Sequence, residues 1–182
     1  MAACSVERNT ITYSAALSAC EKGGAWVQAL GLLVDMAARR VYMDTITYSA
    51  AVSACEKGGV WAKAVGLFAD MAACSVERNT ITYSAALSAC EKGGAWVQAL
   101  GLLVDMAARR VYMDTITYSA AVSACEKGAA WAQALGLLVQ MAARNVEKDT
   151  IVYSAAVSAC EKGGAWYEAL ALLADRCSLE CL

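Results

Sequence analysis

One thirty-five-residue pattern recurs in register along this chain, and it constrains the fold more than any other feature. The repeats run 10–44, 45–79, 80–114 and 115–149, with an incomplete fifth at 150–182 and a remnant of a preceding one at 1–9. Residues 1–58 are identical to 71–128, so a two-repeat block has been copied whole. The chain opens partway through one repeat and closes partway through another. We therefore expect a fragment of a longer array, and no targeting peptide is visible ahead of the first repeat. A period in this range is the signature of a solenoid, in which each repeat packs mainly on its neighbours and the whole is one continuous repeat domain.

Each repeat reads as two helices. Tyr48, Ala51, Val52 and Cys55 fall at i, i+3, i+4 and i+7, one face of a helix. Gly58-Gly59 follows Lys57. Glycine tolerates the left-handed conformation past a helix end, and lysine suits the negative end of the dipole. Trp61, Ala64, Val65, Phe68 and Met71 then mark a second amphipathic helix. The fold class that follows is all-α, an α-α superhelix of helix–turn–helix repeats: ten helices in five antiparallel pairs, a partial extra helix at Met1–Cys4, and one helix set lining a concave surface.

Composition removes several functions. The chain has no His, so the usual general base and the commonest metal ligand are absent. We find no paired carboxylates with a nucleophile, no phosphate-binding loop and no metal cluster, and expect no catalytic residue, no metal, no cofactor and no enzyme activity. Hydrophobic residues make up 59%, but Asp35 and Asp70 interrupt the apolar segments well short of the roughly 20 residues a membrane span needs. We read these aspartates, with Asp105 and Asp175, as a solvated outer face. Cys20, Cys55, Cys90, Cys125 and Cys160 recur at one position of the repeat. Copies one repeat apart cannot approach the roughly 7 Å that a disulfide demands, so they read as small buried thiols. Cys177 and Cys181 form a single CxxxC, weak as a zinc signal without His.

The repeat resembles the pentatricopeptide repeat. The shared features are the 35-residue period, Tyr at the fourth position (Tyr13, Tyr48, Tyr83, Tyr118, Tyr153), Lys-Gly at the helix junction, Ala29-Leu30 or Ala64-Val65, and the later Met36, Met71, Met106 and Met141. The likeness covers essentially the whole chain. It departs from the family at the residue before the last, where Met43, Arg78, Met113 and Lys148 stand in place of the frequent Pro.

That resemblance implies single-stranded RNA as the partner, read one base per repeat by two or three side chains. The base-selecting positions carried over are the fifth, Ser14, Ser49, Ser84, Ser119 and Ser154, and the last, Asp44, Asn79, Asp114 and Asp149. The base-sandwiching residues are Ile11, Ile46, Ile81, Ile116 and Ile151, and the backbone cations are Lys22, Lys57, Lys92, Lys127 and Lys162. The family's pairing rule reads Ser with Asp as guanine and Ser with Asn as adenine, hence purine-rich G-A-G-G for repeats one to four. The resemblance also implies a mitochondrial or chloroplast setting and a role in organellar RNA processing, stability or editing. Other readings of the same residues stand beside these. Asp and Asn before a helix are ordinary N-caps, Ser and Ile near a helix start can serve capping and packing, and Lys can answer the helix dipole. Glu21, Glu56, Glu91, Glu126 and Glu161 sit beside the lysines and partly cancel them. The net charge is -2, which leaves a solenoid scaffold for protein partners, without RNA affinity, as the alternative. The five Trp (Trp26, Trp61, Trp96, Trp131, Trp166) read as repeat-to-repeat packing in preference to a stacking platform.

Overall fold

The computed structural model describes residues 10–172. Met1–Cys4, Asp175, Cys177 and Cys181 lie outside them. The first helices of the repeats are α1 (Thr10–Gly23), α3 (Thr45–Lys57), α5 (Thr80–Gly93), α7 (Thr115–Lys127) and α9 (Thr150–Lys162). The second helices are α2 (Trp26–Ala38), α4 (Trp61–Ala73), α6 (Trp96–Ala108) and α8 (Trp131–Ala143). Residues 166–172 open one more helix. Among the described residues there is no strand, and none of their helices is long and apolar enough to cross a membrane. The chain forms two compact halves, Met1–Ala89 and Cys90–Leu182. In the first half α1 packs on α2 and α3, and α3 on α2 and α4; in the second, α7 packs on α6, α8 and α9, and α8 on α9.

The buried face of the first helix is the one the periodicity marks. Tyr48, Ala51, Val52 and Cys55 are all buried, and Thr47, Ala50 and Ala54 join them, because this helix is covered from more than one side. The second helix has a narrower stripe. Ala64, Phe68 and Met71 are buried, whereas Trp61 and Val65 are only half-buried. The core of the first half is built from Tyr13, Leu17, Ala29, Leu33, Met36, Ala50, Ala51 and Ala54, so two repeats contribute to one cluster.

Both helices of a repeat end in the same device. After α3 the Gly59 amide donates to the Glu56 carbonyl and the Val60 amide to that of Cys55. After α2, Arg40 donates to Ala37 and Val41 to Met36. This is the Schellman pattern, which requires one left-handed residue. Gly24, Gly59, Gly94 and Gly164 fill it at the turn with φ between 61 and 73°, but the fourth repeat has Ala129, at φ 52°.

The preceding glycine has a different task. A Cβ added at Gly58 would lie 2.3 Å from Cδ1 of Trp26, and one at Gly128 equally 2.3 Å from Cδ1 of Trp96. The tryptophan of one repeat therefore rests on the bare backbone of the next repeat's turn, as expected for repeat-to-repeat packing. Trp166, beyond which the chain has no further Gly pair, is 57% exposed.

Of the aspartates expected on a solvated outer face, Asp70 is exposed, whereas Asp35 and Asp105 are half-buried and paired. Asp35 accepts hydrogen bonds from the Tyr13 hydroxyl and from Arg39 Nε, the latter at 2.8 Å. Asp105 pairs with Arg109 at 3.1 Å. Tyr at the fourth position brings its hydroxyl across to the second helix, which the linear pattern does not show. In the fourth repeat Gln140 replaces this Asp, and the buried Tyr118 hydroxyl has no hydrogen-bond partner among the described residues.

Cys55, Cys90, Cys125 and Cys160 are buried free thiols, Cys20 is half-buried and Cys74 exposed. Burial pushes the Cys90 and Cys125 thiols up to about 11, which leaves on the order of one thiolate in a thousand at pH 8.

Adjacent substitutions should therefore act oppositely. Gly128→Ala forces a methyl group into Trp96 and should cost about 1–3 kcal/mol, while Ala129→Gly relieves the left-handed strain and should stabilise by about 1 kcal/mol. Thermal and urea denaturation of the two variants read the signs. With a maleimide at pH 8, among the described cysteines Cys74 should label first, Cys20 next, and Cys90 and Cys125 only on the timescale of local opening.

Candidate nucleic-acid interface

The second, fifth, ninth, twelfth and thirteenth positions of a repeat share one face of the first helix, because their spacings follow helical neighbours at three and four. In the first repeat these are Ile11, Ser14, Ser18, Glu21 and Lys22. The opposite face, with Tyr13, Leu17 and their equivalents, is buried. The selecting and backbone residues expected from the sequence therefore lie along one line, with Ser14 and Lys22 separated by about 12 Å of helix.

The isoleucines decide between packing and exposure. Ile11, Ile46, Ile81, Ile116 and Ile151 are 75, 64, 66, 69 and 64% exposed. A large β-branched side chain left mostly in water at the same position of every repeat is not part of the core. Serines flank them: Ser84 and Ser154 are exposed, and Ser14, Ser49 and Ser119 half-buried. Ser14 Oγ donates to the Ile11 carbonyl at 3.0 Å. In the first half Ile81 and Ser84 line a cleft of about 410 Å³ together with Ser53, Glu56, Thr80 and Ser88. Ser88 donates to Glu56 at 3.0 Å, tying two successive first helices across its wall. Ser53 and Ser88, at the ninth position, are residues of this cleft that the sequence did not single out, and their signal was their place on the same helix face as Ile81 and Ser84.

The last-position residues are N-caps in fact. Oδ1 of Asp44, Asp114 and Asp149 accepts the amides of Thr47, Thr117 and Val152, each at 2.8 Å. Asn79 Oδ1 accepts from Thr82 at 3.0 Å. Hydrogen bonds from the Thr117 hydroxyl and amide hold the Asp114 carboxyl below its ordinary range, against burial. At Asp44 burial acts upward and the bonds from Thr47 outweigh it, again lowering the carboxyl. Capping does not make these residues equivalent. With Oδ1 committed to the helix, an Asp keeps Oδ2, an acceptor, while Asn79 keeps Nδ2, a donor. Beside these caps Thr45 Oγ1 donates to the Glu77 carbonyl at 2.9 Å, and Thr115 Oγ1 to that of Glu147 at 3.1 Å, joining the starts of two first helices to the loop of the next repeat boundary.

The lysines are all exposed, and their partners are not the neighbours in sequence. Lys57 Nζ lies 3.4 Å from Glu21, Lys127 3.9 Å from Glu91 and Lys162 2.8 Å from Glu126. Each reaches back to the glutamate of the preceding repeat. Arginines collect instead at the inter-repeat loops. In the second half a cleft of about 690 Å³ beside Asp114 is lined by Arg110, Tyr112, Arg144, Asn145 and Glu147. Among the described residues no group of three or more His, Cys, Asp or Glu could hold a metal ion.

The PPR repeat family model matches residues 11–41, 46–76 and 81–111. No curated protein matches the sequence. Similar solved structures include the pentatricopeptide repeat protein PPR10 from maize, with 27% identity and a TM-score of 0.73 over 96% of this chain and 25% of that one. The same protein in complex with an 18-nt psaJ RNA element gives 22%, 0.69, 93% and 25%. The PPR domain of Arabidopsis thaliana protein-only RNase P 1 in complex with tRNA gives 16%, 0.71, 87% and 86%. This chain spans about a quarter of the length of the maize protein.

Removing a cap tests the local geometry. Asp114→Ala should cost about 1 kcal/mol at pH 7. Because the folded carboxyl lies below its unfolded value near 3.9, the contribution is present above that pH and is lost as pH falls through the folded value. Urea melts of both proteins should therefore converge as pH falls below the ordinary carboxylate range near 3.9.

Proposed function

The chain belongs to the PPR repeat family, and on that premise we propose that it binds single-stranded RNA selectively, one base per repeat, with no chemistry of its own. The observation that carries this reading is the exposed isoleucine of every first helix, bordered by a serine one turn on and a capping Asp or Asn whose remaining polar atom differs between acceptor and donor. An exposed aliphatic between polar groups suits the face of a base, whose edge then meets the polar atoms. Ser14 with Asp44, Ser49 with Asn79, Ser84 with Asp114 and Ser119 with Asp149 would select guanine, adenine, guanine and guanine, with Ser154 in the incomplete fifth repeat. Ile11, Ile46, Ile81, Ile116 and Ile151 would sandwich the bases, and Lys22, Lys57, Lys92, Lys127 and Lys162 would meet the phosphates. Two structural neighbours, the maize protein and the RNase P domain, are solved with RNA. The family's usual setting makes the proposed role organellar RNA processing, stability or editing, in the mitochondrion or chloroplast, by occlusion or recruitment.

The reading code is tested by competition between RNAs that differ only at the second base. Asn79→Asp should shift preference there from adenine toward guanine by about tenfold, some 1.4 kcal/mol, and leave the other positions alone. Lys57→Ala and Lys92→Ala should weaken binding to every sequence and flatten the salt dependence. An unchanged ranking in an Asn79→Asp protein that still binds would refute the code. Absence of any binding to purine-rich RNA would replace it with a protein scaffold, which the net charge of -2 favours.

A further inference from the structure

A lysine that meets RNA phosphate in every repeat sits oddly with a chain of net charge -2. The geometry resolves this. The side chains of Lys57, Lys127 and Lys162 are 43, 43 and 47% exposed, yet their ammonium groups lie 3.4, 3.9 and 2.8 Å from the carboxylates of Glu21, Glu91 and Glu126. Those glutamates precede the first helix's own lysine and share its exposed face. Exposed pairs of this kind contribute little to stability, about 0–1 kcal/mol. Their stronger effect is on the field along the exposed face of the first helices. Each phosphate that approaches a lysine also approaches a carboxylate of the same charge as itself, and the cation it meets is already partly neutralised.

We infer that the glutamate at the twelfth position of each repeat sets RNA affinity, by masking the following repeat's lysine and repelling the phosphate chain. This rests on the RNA-binding reading above but is independent of the base code. A masked edge releases few counterions on binding, so backbone attraction alone holds RNA weakly and contacts with the bases decide retention. The glutamates act on phosphate through the lysines and through space, not by touching a base. Neutralising them therefore raises affinity for every sequence by the same factor and leaves base preference intact.

The test uses the whole chain and two single-stranded RNAs, one carrying G-A-G-G within uridines and one oligouridine of equal length. Glu91→Gln with Glu126→Gln keeps side-chain length and a hydrogen-bond acceptor for neighbours. The double variant should bind both RNAs about fivefold more tightly at low salt. The slope of log affinity against log salt should steepen by up to about 1.4, at roughly 0.7 per unmasked lysine on a single strand. Adding Lys127→Ala should cancel about half of the gain. Asp35→Asn with Asp105→Asn, which changes net charge by the same amount but at residues that pair with Arg39 and Arg109 at the loop edge, should shift affinity less than twofold. Circular dichroism and thermal melts establish that each variant is folded. A fall in affinity in the folded double variant would show that the glutamates position the lysines for RNA, and would overturn the inference. No change would mean that the lysine edge does not meet RNA, and an equal gain from Asp35→Asn with Asp105→Asn would reduce the effect to net charge; either result also overturns it. If Asn79→Asp leaves the ranking unchanged while the glutamine variant still gains, the base code fails and this inference stands. If no protein binds either RNA, both fall.

Discussion

A helical hairpin of some thirty residues has an apolar face on each helix and too little chain to cover both. The only cover available is another copy of itself, and the rest of the structure follows from how that copy docks. The close point is the indole of Trp26 against the backbone of Gly58, and of Trp96 against Gly128. An indole is rigid and large, so the contact fixes the distance between one repeat's second helix and the next repeat's turn. It works only where the turn carries no Cβ. The Lys-Gly junction is thus a docking surface as well as a helix stop, and the two glycines of the pair do different work: the first yields space, the second supplies the left-handed residue that closes the Schellman motif.

Docking on one face leaves the other face of the first helix with only polar contacts between repeats, such as Ser88 with Glu56 and Lys57 with Glu21. Tyr, Val or Leu and Cys face inward at their helical spacing, and Ile, Ser and Glu-Lys are turned outward by the same geometry. Function can then vary without disturbing the core. The last residue of the repeat is the exception, since Asp44, Asp114 and Asp149 cap a helix and border the exposed face at once. Asp and Asn are nearly interchangeable as caps, so a change between them alters what is presented outward at little cost to the helix. The same economy explains why a cap and a base-reading residue cannot be told apart by residue type alone.

Charge is distributed by the repeat as well. Lysine and glutamate alternate at the turn edge and bind one another between repeats, while arginine sits on the loop edge with Asp35 and Asp105. A chain that is acidic overall can thereby keep one cation in every repeat at the same register. Its Coulomb reach is short because a carboxylate stands beside it.

The period of thirty-five, the two amphipathic stretches and the double glycine were enough to specify helical hairpins, their boundaries and their inward faces, because each follows from spacing within one repeat. Burial of Cys55, Cys90, Cys125 and Cys160 followed for the same reason. Between repeats only the packing role of the tryptophans was legible. Nothing in the linear pattern shows that Lys57 reaches Glu21 rather than its neighbour Glu56 or that Ser88 closes on Glu56, since each partner lies in the adjacent repeat, 32 to 36 residues away, nor that Tyr13 crosses to Asp35 from one helix of its own repeat to the other. Nor could sequence decide whether Ile11 and its equivalents pack or stand in solvent, because isoleucine serves both and helical spacing says only which residues share a face. Periodicity within a repeat determined the elements; the stacking of one repeat on the next, which sets long-range distances and covers one face only, decided which side chains are left for a ligand.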